Sequence, residues 1–265
     1  MRQSGEFNGT TFHFFLTTAL CLLAVLVFSE PGRSDSTRRE IENLDPSFRE
    51  SVLRGWRYFN TSFADDGVAC VHCHRDHSDM VFWSGSYPKV QLFDGSSYDV
   101  KTLRTVIMEA MARHTDLGPV ESGEMAEDLE AYIAWWGDGQ PLAPGISHKG
   151  MPPEEDLGEL GKSISRGRAL FNREKPTSCS NCHTAKEQDD DYRKPLKDVL
   201  LGFPRSVSVS GRTVSLDTYL LAHYKKQGVV MSPKSITDIA AYFSDLSRGK
   251  LLRPGVRQTG EETIP

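Results

Sequence analysis

Apolar residues return with a helical beat in three places along the chain. Met125, Leu129, Tyr132, Ile133 and Trp136 fall at i, i+4, i+7, i+8 and i+11, one face of a helix. Ile236, Ile239, Ala240, Phe243 and Leu246 fall at i, i+3, i+4, i+7 and i+10, again one face. Ser232 followed by Pro233 starts this second helix, with proline at the first helical position. A third, shorter pattern places Leu103, Ile107 and Met111 at i, i+4 and i+8. The N-terminus is of another character. Phe14 to Phe28 is fifteen residues without a charge, with Arg2 upstream. That is the length of a signal-peptide core and short for a membrane span. Cleavage after Ser29, with Val27 as the other flanking residue, would remove residues 1–29; the alternative is an uncleaved anchor. Cys21 lies in this run, but Leu20 before it fits a lipoprotein signal poorly. Both readings predict export, to the periplasm or an equivalent compartment.

The two long helical patterns belong to a repeat. Ahead of the first stands LRGWRYFN, with Arg54, Gly55, Tyr58, Phe59 and Asn60; ahead of the second stands SRGRALFN, with Arg166, Gly167, Leu170, Phe171 and Asn172. Gly55 to Gly167 is 112 residues, Cys70 to Cys179 is 109, and Tyr132 to Tyr242 is 110. Two units of one plan follow, over 45–137 and 158–250. A glycine on each first helix lets another helix approach closely. The Gly- and Pro-rich stretch 138–157 reads as a linker, and 251–265 as a loosely ordered tail.

Both units contain Cys-x-x-Cys-His: Cys70, Cys73 and His74, then Cys179, Cys182 and His183. This spacing is that of covalent haem c attachment. Two thiols on one turn can each bond a vinyl group of one haem, and the next imidazole meets the iron from one face. Two disulfides would leave both histidines without a purpose. A single zinc site would have to join motifs 109 residues apart. A thioredoxin-like dithiol needs a βαβ setting that the pattern does not provide. Two haems c are therefore expected.

Composition changes the picture little: 25% charged and 38% hydrophobic residues are ordinary for a folded chain, and the formal charge of −5 names no partner. Its distribution is more informative. Residues 45–137 carry 8 basic and 15 acidic residues, a net of −7, and residues 158–250 carry 16 basic and 10 acidic, a net of +6. Two surfaces of opposite sign would steer different encounters.

The order of helix glycine and aromatic, Cys-x-x-Cys-His, methionine-bearing loop and terminal helix with Ala-Tyr-[Ile/Phe] resembles class I cytochrome c, twice over. The resemblance implies an all-α fold of two tandem domains, each with its first and last helices crossed over one haem edge. It also implies one-electron transfer between a redox donor and an acceptor, with a membrane oxidoreductase complex as a further partner and no nucleic acid. The family keeps a ligand methionine before its last helix, which points to Met231 in GVVMSPKS, with His223 as the rival. In the first unit the corresponding residue is Glu121, a poor ligand, and Met125 lies on the core face. Met111 on the 103–114 pattern is the leading candidate there, with Met108 and His114 as alternatives. Met80 follows His74 too closely, and Met151 falls beyond the unit. The stretches SYPKVQ, TLRTVI and SGEMAEDLEAYIAWW are also similar to diheme cytochromes of sulfur oxidation, the thiosulfate dehydrogenases and the SoxA subunit. Those use a middle-helix cysteine as haem ligand, but no cysteine lies here between Cys73 and Cys179. A haem enzyme of that kind or of peroxidase type, or a cytochrome subunit of a membrane oxidoreductase, is the alternative to a carrier.

Overall fold

Helix α1 (Pro46–Asn60) begins at Asp45, whose side chain accepts hydrogen bonds from the backbone N–H of Ser47 and Phe48, with Pro46 at the first helical position. Its buried face, Phe48, Ser51, Val52, Gly55 and Phe59, packs against α5 (Pro119–Trp136). The contact is backbone on backbone: a Cβ at Gly55 would lie 2.0 Å from the carbonyl oxygen of Asp128. The computed structural model describes residues 41, 43–63, 65, 67–93, 97–146, 154–173, 178–184, 194–195, 200–207 and 212–255. The proposed signal segment, Met151 and residues 256–265 lie outside these. Among the described residues no helix is long and apolar enough to cross a membrane.

The same crossing is built a second time. Helix α6 (Glu154–Phe171) packs on α8 (Pro233–Leu246), and a Cβ at Gly167 would lie 1.9 Å from the Asp238 carbonyl oxygen. Arg54 grips the Asp128 carboxylate through two hydrogen bonds of 2.7 and 2.8 Å; Arg166 grips Asp238 through two of 2.8 Å. The rings of Phe59 and Tyr132 stand 5.6 Å apart, as do those of Phe171 and Tyr242. The Arg-Gly and Phe-Asn pairs of the repeat thus have a physical role. The glycine admits the second helix, the arginine locks it with a fork-to-carboxylate pair, and the aromatics fill the crossing.

Between the crossed helices each half carries further elements, of which the apolar pattern announced only the helix at 103–114. In the first, α2 (Cys70–Cys73) and α3 (His77–Ser86) lead into an antiparallel hairpin of β1 (Lys89–Phe93) and β2 (Ser97–Lys101), then α4 (Leu103–His114). In the second, a single 3-10 turn (Cys179–Asn181) is followed by a two-residue parallel pair, β3 (His183–Thr184) with β4 (Lys194–Pro195). Another 3-10 turn (Leu200–Gly202) leads to the antiparallel hairpin β5 (Arg205–Val207) and β6 (Arg212–Val214), then α7 (Leu216–Lys226). The all-α expectation is corrected to a mostly helical fold with small β additions. Each hairpin feeds a hydroxyl-capped helix: Thr102 accepts from Thr105 N–H at the start of α4, and Ser215 from Thr218 N–H at the start of α7.

The stretches read as linker and tail also behave differently in part. Residues 139–142 and 249–252 run antiparallel and exchange four backbone hydrogen bonds: Gly139 N to Leu252 O, Leu142 N to Lys250 O, Gly249 N to Leu142 O and Leu252 N to Gln140 O, at 2.7–2.9 Å. The pattern is symmetric, so the two repeats meet about a local two-fold axis. Leu142 and Leu252 are buried beside it, and Gly255 N–H donates back to Gly202 and Pro204. Helix α6 already begins inside the stretch assigned to the linker.

The halves also meet through charge. Arg212 holds Glu124 at 2.6 Å, Lys234 holds Asp99 at 3.2 Å and Arg253 holds Asp138 at 3.3 Å. Part of the opposite charge of the two repeats is therefore used on their mutual contact and is not offered to outside partners. Behind these exposed pairs lies a buried group of acids. Glu127 accepts from Arg104, from Ser215 through both its N–H and its hydroxyl, and from Thr218. Asp217 accepts from Thr102 at 2.5 Å. Glu130 and Asp217 line a cavity of about 70 Å³ together with Tyr87, Ser84, Ser244 and Leu252. Burial pushes the Asp217 carboxyl up to about 6, against relief from Thr102 and Arg104. Burial pushes Glu130 well up too, aided by Glu127 and Asp217, and its Oε2 has no hydrogen-bond partner.

Candidate haem sites

The first Cys-x-x-Cys pair occupies a single helical turn, closed by the hydrogen bond from His74 N–H to Cys70 O at 2.9 Å. The Ala69 N–H donates to His72 Nδ1 at 2.9 Å, so His72 is engaged in capping the turn. His74 leaves helical geometry, and its ring meets Trp83 edge-on at 4.8 Å. Cys70 is half-buried against a core that contains Phe59, Met111 and Tyr132, while Cys73 is exposed.

The second pair repeats this disposition on a tighter turn. Cys182 N–H donates to Cys179 O at 3.1 Å, and the buried Ser178 hydroxyl donates to Phe171 O at 2.8 Å, tying the motif to the end of α6. Cys179 is half-buried and Cys182 exposed. The Cys179 Sγ lies 2.7 Å from the Tyr224 hydroxyl on α7. Burial pushes the Cys70 and Cys179 thiols up. In both motifs, then, one sulfur faces the core and the other faces out, with an imidazole next in sequence.

The four cysteines of the two motifs form no disulfide, and among the described residues no three His, Cys, Asp or Glu side chains gather into a metal cluster. The two motifs are not brought to one point, as a shared zinc site would require. The donor set of each motif does fit a covalently held haem: two thiols on one turn and an imidazole beside them.

The residues weighed for the far side of each haem are distributed as follows. Met111 is buried in the Cys70 core. Met108 accepts from Arg104 Nη1 at 2.9 Å, and His114 is exposed at the end of α4. Met80 and Met125 are core residues, and Glu121 is exposed. Met231 is half-buried at the edge of the core that includes Cys179 and Tyr224. The ring centre of His223 lies 6.4 Å from that of His183. His77, unweighed in the sequence, stacks on Trp136 at 4.2 Å. Tyr224 and Ser178 were also missed. Their signal lay in position, Tyr224 one residue past His223 and Ser178 one residue before the first thiol.

No family model matches the sequence, and the search of curated proteins returns no relative. Among solved structures the chain is similar to SoxXA from P. pantotrophus, with a TM-score of 0.60 at 18% identity, over 81% of this chain and 80% of that one. At this identity the likeness shows a shared, mostly helical fold.

Proposed function

We propose that the chain is an exported diheme c-type cytochrome that transfers single electrons between redox partners. Cys70, Cys73 and His74 hold one haem, and Cys179, Cys182 and His183 hold the other. The observation that carries this reading is the duplicated construction. At the end of the first helix of each crossed pair stands one turn with an inward thiol, an outward thiol and a following imidazole. Haem supplies the one-electron ferrous–ferric couple. The chain would supply two thiols for covalent attachment and one imidazole at each site, with aromatic and aliphatic cores beside them that exclude water. Covalent attachment also suits export, since a haem so bonded is not lost outside the cell. Residues 1–29 serve as the signal or anchor.

On the first haem the sixth ligand is assigned to Met111, buried in the same core as Cys70. A neutral thioether suits a ferrous carrier. The partners are a soluble or membrane-bound donor and acceptor. The fold likeness to SoxXA favours a place in sulfur-compound oxidation, and it supports a second reading, an enzyme of thiosulfate-dehydrogenase type.

The test uses purified holoprotein. Replacing Cys179 and Cys182 by alanine should leave one haem per chain in a pyridine haemochrome assay, and so should replacing Cys70 and Cys73. Retention of two haems in either variant would end the site assignment. Carbon monoxide binding to a reduced haem, together with reduction by thiosulfate at catalytic rate, would move the conclusion to the enzyme.

A further inference from the structure

We infer that His223 supplies the sixth ligand of the second haem, so that this iron is held between two imidazoles. The inference rests on the reading of Cys179, Cys182 and His183 as a haem site. Met231, the residue that the sequence favours for this position, is then a packing residue.

The argument begins with a distance. An imidazole nitrogen binds a metal ion at about 2 Å and stands about 1 Å from its ring centre, so two imidazoles on opposite sides of one ion have centres roughly 6 Å apart. The centres of His183 and His223 are 6.4 Å apart. Ordinary ring packing in this chain reaches the same spacing, as Tyr132 and Trp136 do at 6.4 Å, so the distance admits an ion and the placement of the two residues carries the inference. The 54° between the ring planes is compatible, because each plane has only to contain its own metal–nitrogen direction.

The helix that carries His223 is aimed at the motif. Consecutive residues of α7 meet its two ends: Tyr224 touches the Cys179 sulfur at 2.7 Å, and His223 faces His183. His223 is steadied by the nearly parallel ring of Tyr219, one turn back at 6.1 Å, and by the edge of Tyr224 at 6.1 Å. Tyr219, Leu220 and Tyr224 on this face are buried, so the ring is held over the motif by a rigid element.

The two halves differ at this point. His223 is the eighth residue after the Ser215 cap of α7; the eighth after the matching Thr102 cap of α4 is Ala110. The ninth is Tyr224 in one and Met111 in the other. Only the second haem can therefore take an imidazole from this helix position, and the two irons should differ in potential. The imidazole pair should be the lower, because methionine in place of histidine raises the potential.

The experiment uses the full-length ferric holoprotein. In unmutated protein, near-infrared magnetic circular dichroism should show a bis-imidazole band from one haem, a measurement that does not depend on any variant folding. In His223→Ala, one haem more than in the unmutated protein should become high-spin and, once reduced, bind carbon monoxide. Added imidazole should restore its low-spin state. Met231→Ala should change neither. If His223→Ala leaves the spin states unchanged and Met231→Ala abolishes a sulfur-to-iron band, the inference is overturned. A pyridine haemochrome count on the same samples separates the layers. Two haems with the wrong ligand overturn only this inference, whereas loss of the second haem from unmutated protein overturns the haem reading beneath it.

Discussion

Substituting Gly167 by alanine tests whether the crossed helices are as close as the fold requires. The new Cβ would stand 1.9 Å from the Asp238 carbonyl oxygen and 2.9 Å from the Tyr242 Cβ, where real contacts do not fall below 3.0 Å. Helices α6 and α8 must then separate by about 1.1 Å (3.0 − 1.9) at the crossing. That movement pulls on the Arg166–Asp238 pair and on the Ser163 hydroxyl, which donates to Asp238 at 2.6 Å. Overpacking of this kind costs about 1–3 kcal/mol, here near the upper end because backbone meets backbone. Alanine returns about 1 kcal/mol of helix propensity, leaving a net loss of about 2 kcal/mol. Gly161 on the same helix is the control: a Cβ there meets nothing within 4 Å, so Gly161→Ala should gain about 0.5–1 kcal/mol. For a unit of this size 1 kcal/mol moves Tm by about 2–4 °C. Gly167→Ala holoprotein should therefore melt about 4–8 °C lower by far-ultraviolet circular dichroism, and Gly161→Ala slightly higher. A Gly167→Ala melt at or above that of the unmutated protein would refute the close crossing.

Further outcomes follow from the buried acids and the first haem. Because burial raises the Asp217 carboxyl from 3.8 in the unfolded chain to about 6, the folded state binds a proton that the unfolded state releases between those values. Stability from this group is present at pH 4 and lost as pH rises through 6, by about 3 kcal/mol at ~1.4 kcal/mol per unit. The stability difference between Asp217→Asn and unmutated protein, read from urea midpoints, should grow in the variant's favour from pH 4 to pH 7; a pH-independent difference would contradict the burial. Met111→Ala, made with the second haem removed, should cost the first haem its low-spin state and open it to carbon monoxide, while Met108→Ala and His114→Ala should not. A low-spin state in all three variants would place the ligand outside α4.

The parts legible in the sequence are those where one residue type does one local job. Gly55 and Gly167 mark the crossings, the Cys-x-x-Cys-His motifs mark the cysteine turns, and the apolar faces of α5 and α8 mark the second helix of each crossing. The hairpins were hidden because strands of three to five residues are too short for a period to show. The strap of residues 139–142 and 249–252 looked like linker and tail because its content is glycine and proline. Its signal was the recurrence of Gly139 and Gly145 as Gly249 and Gly255. Glu127 and Glu130 sit off the apolar face of α5, where the second repeat docks over them, and docking between repeats leaves no periodic trace. His223 stood second to Met231 because a loop methionine fits the cytochrome pattern. Only the folded helix brings its ring to 6.4 Å from His183.

The most direct test of the central claim is the intact mass of the purified chain under denaturing conditions. The account predicts a single species carrying two haem masses, both retained after acid-acetone extraction. It also predicts that peptide mapping places one haem on the peptide with Cys70 and Cys73 and the other on the peptide with Cys179 and Cys182. A chain that carries one haem or none, or that gives up its haem to the solvent, would contradict it.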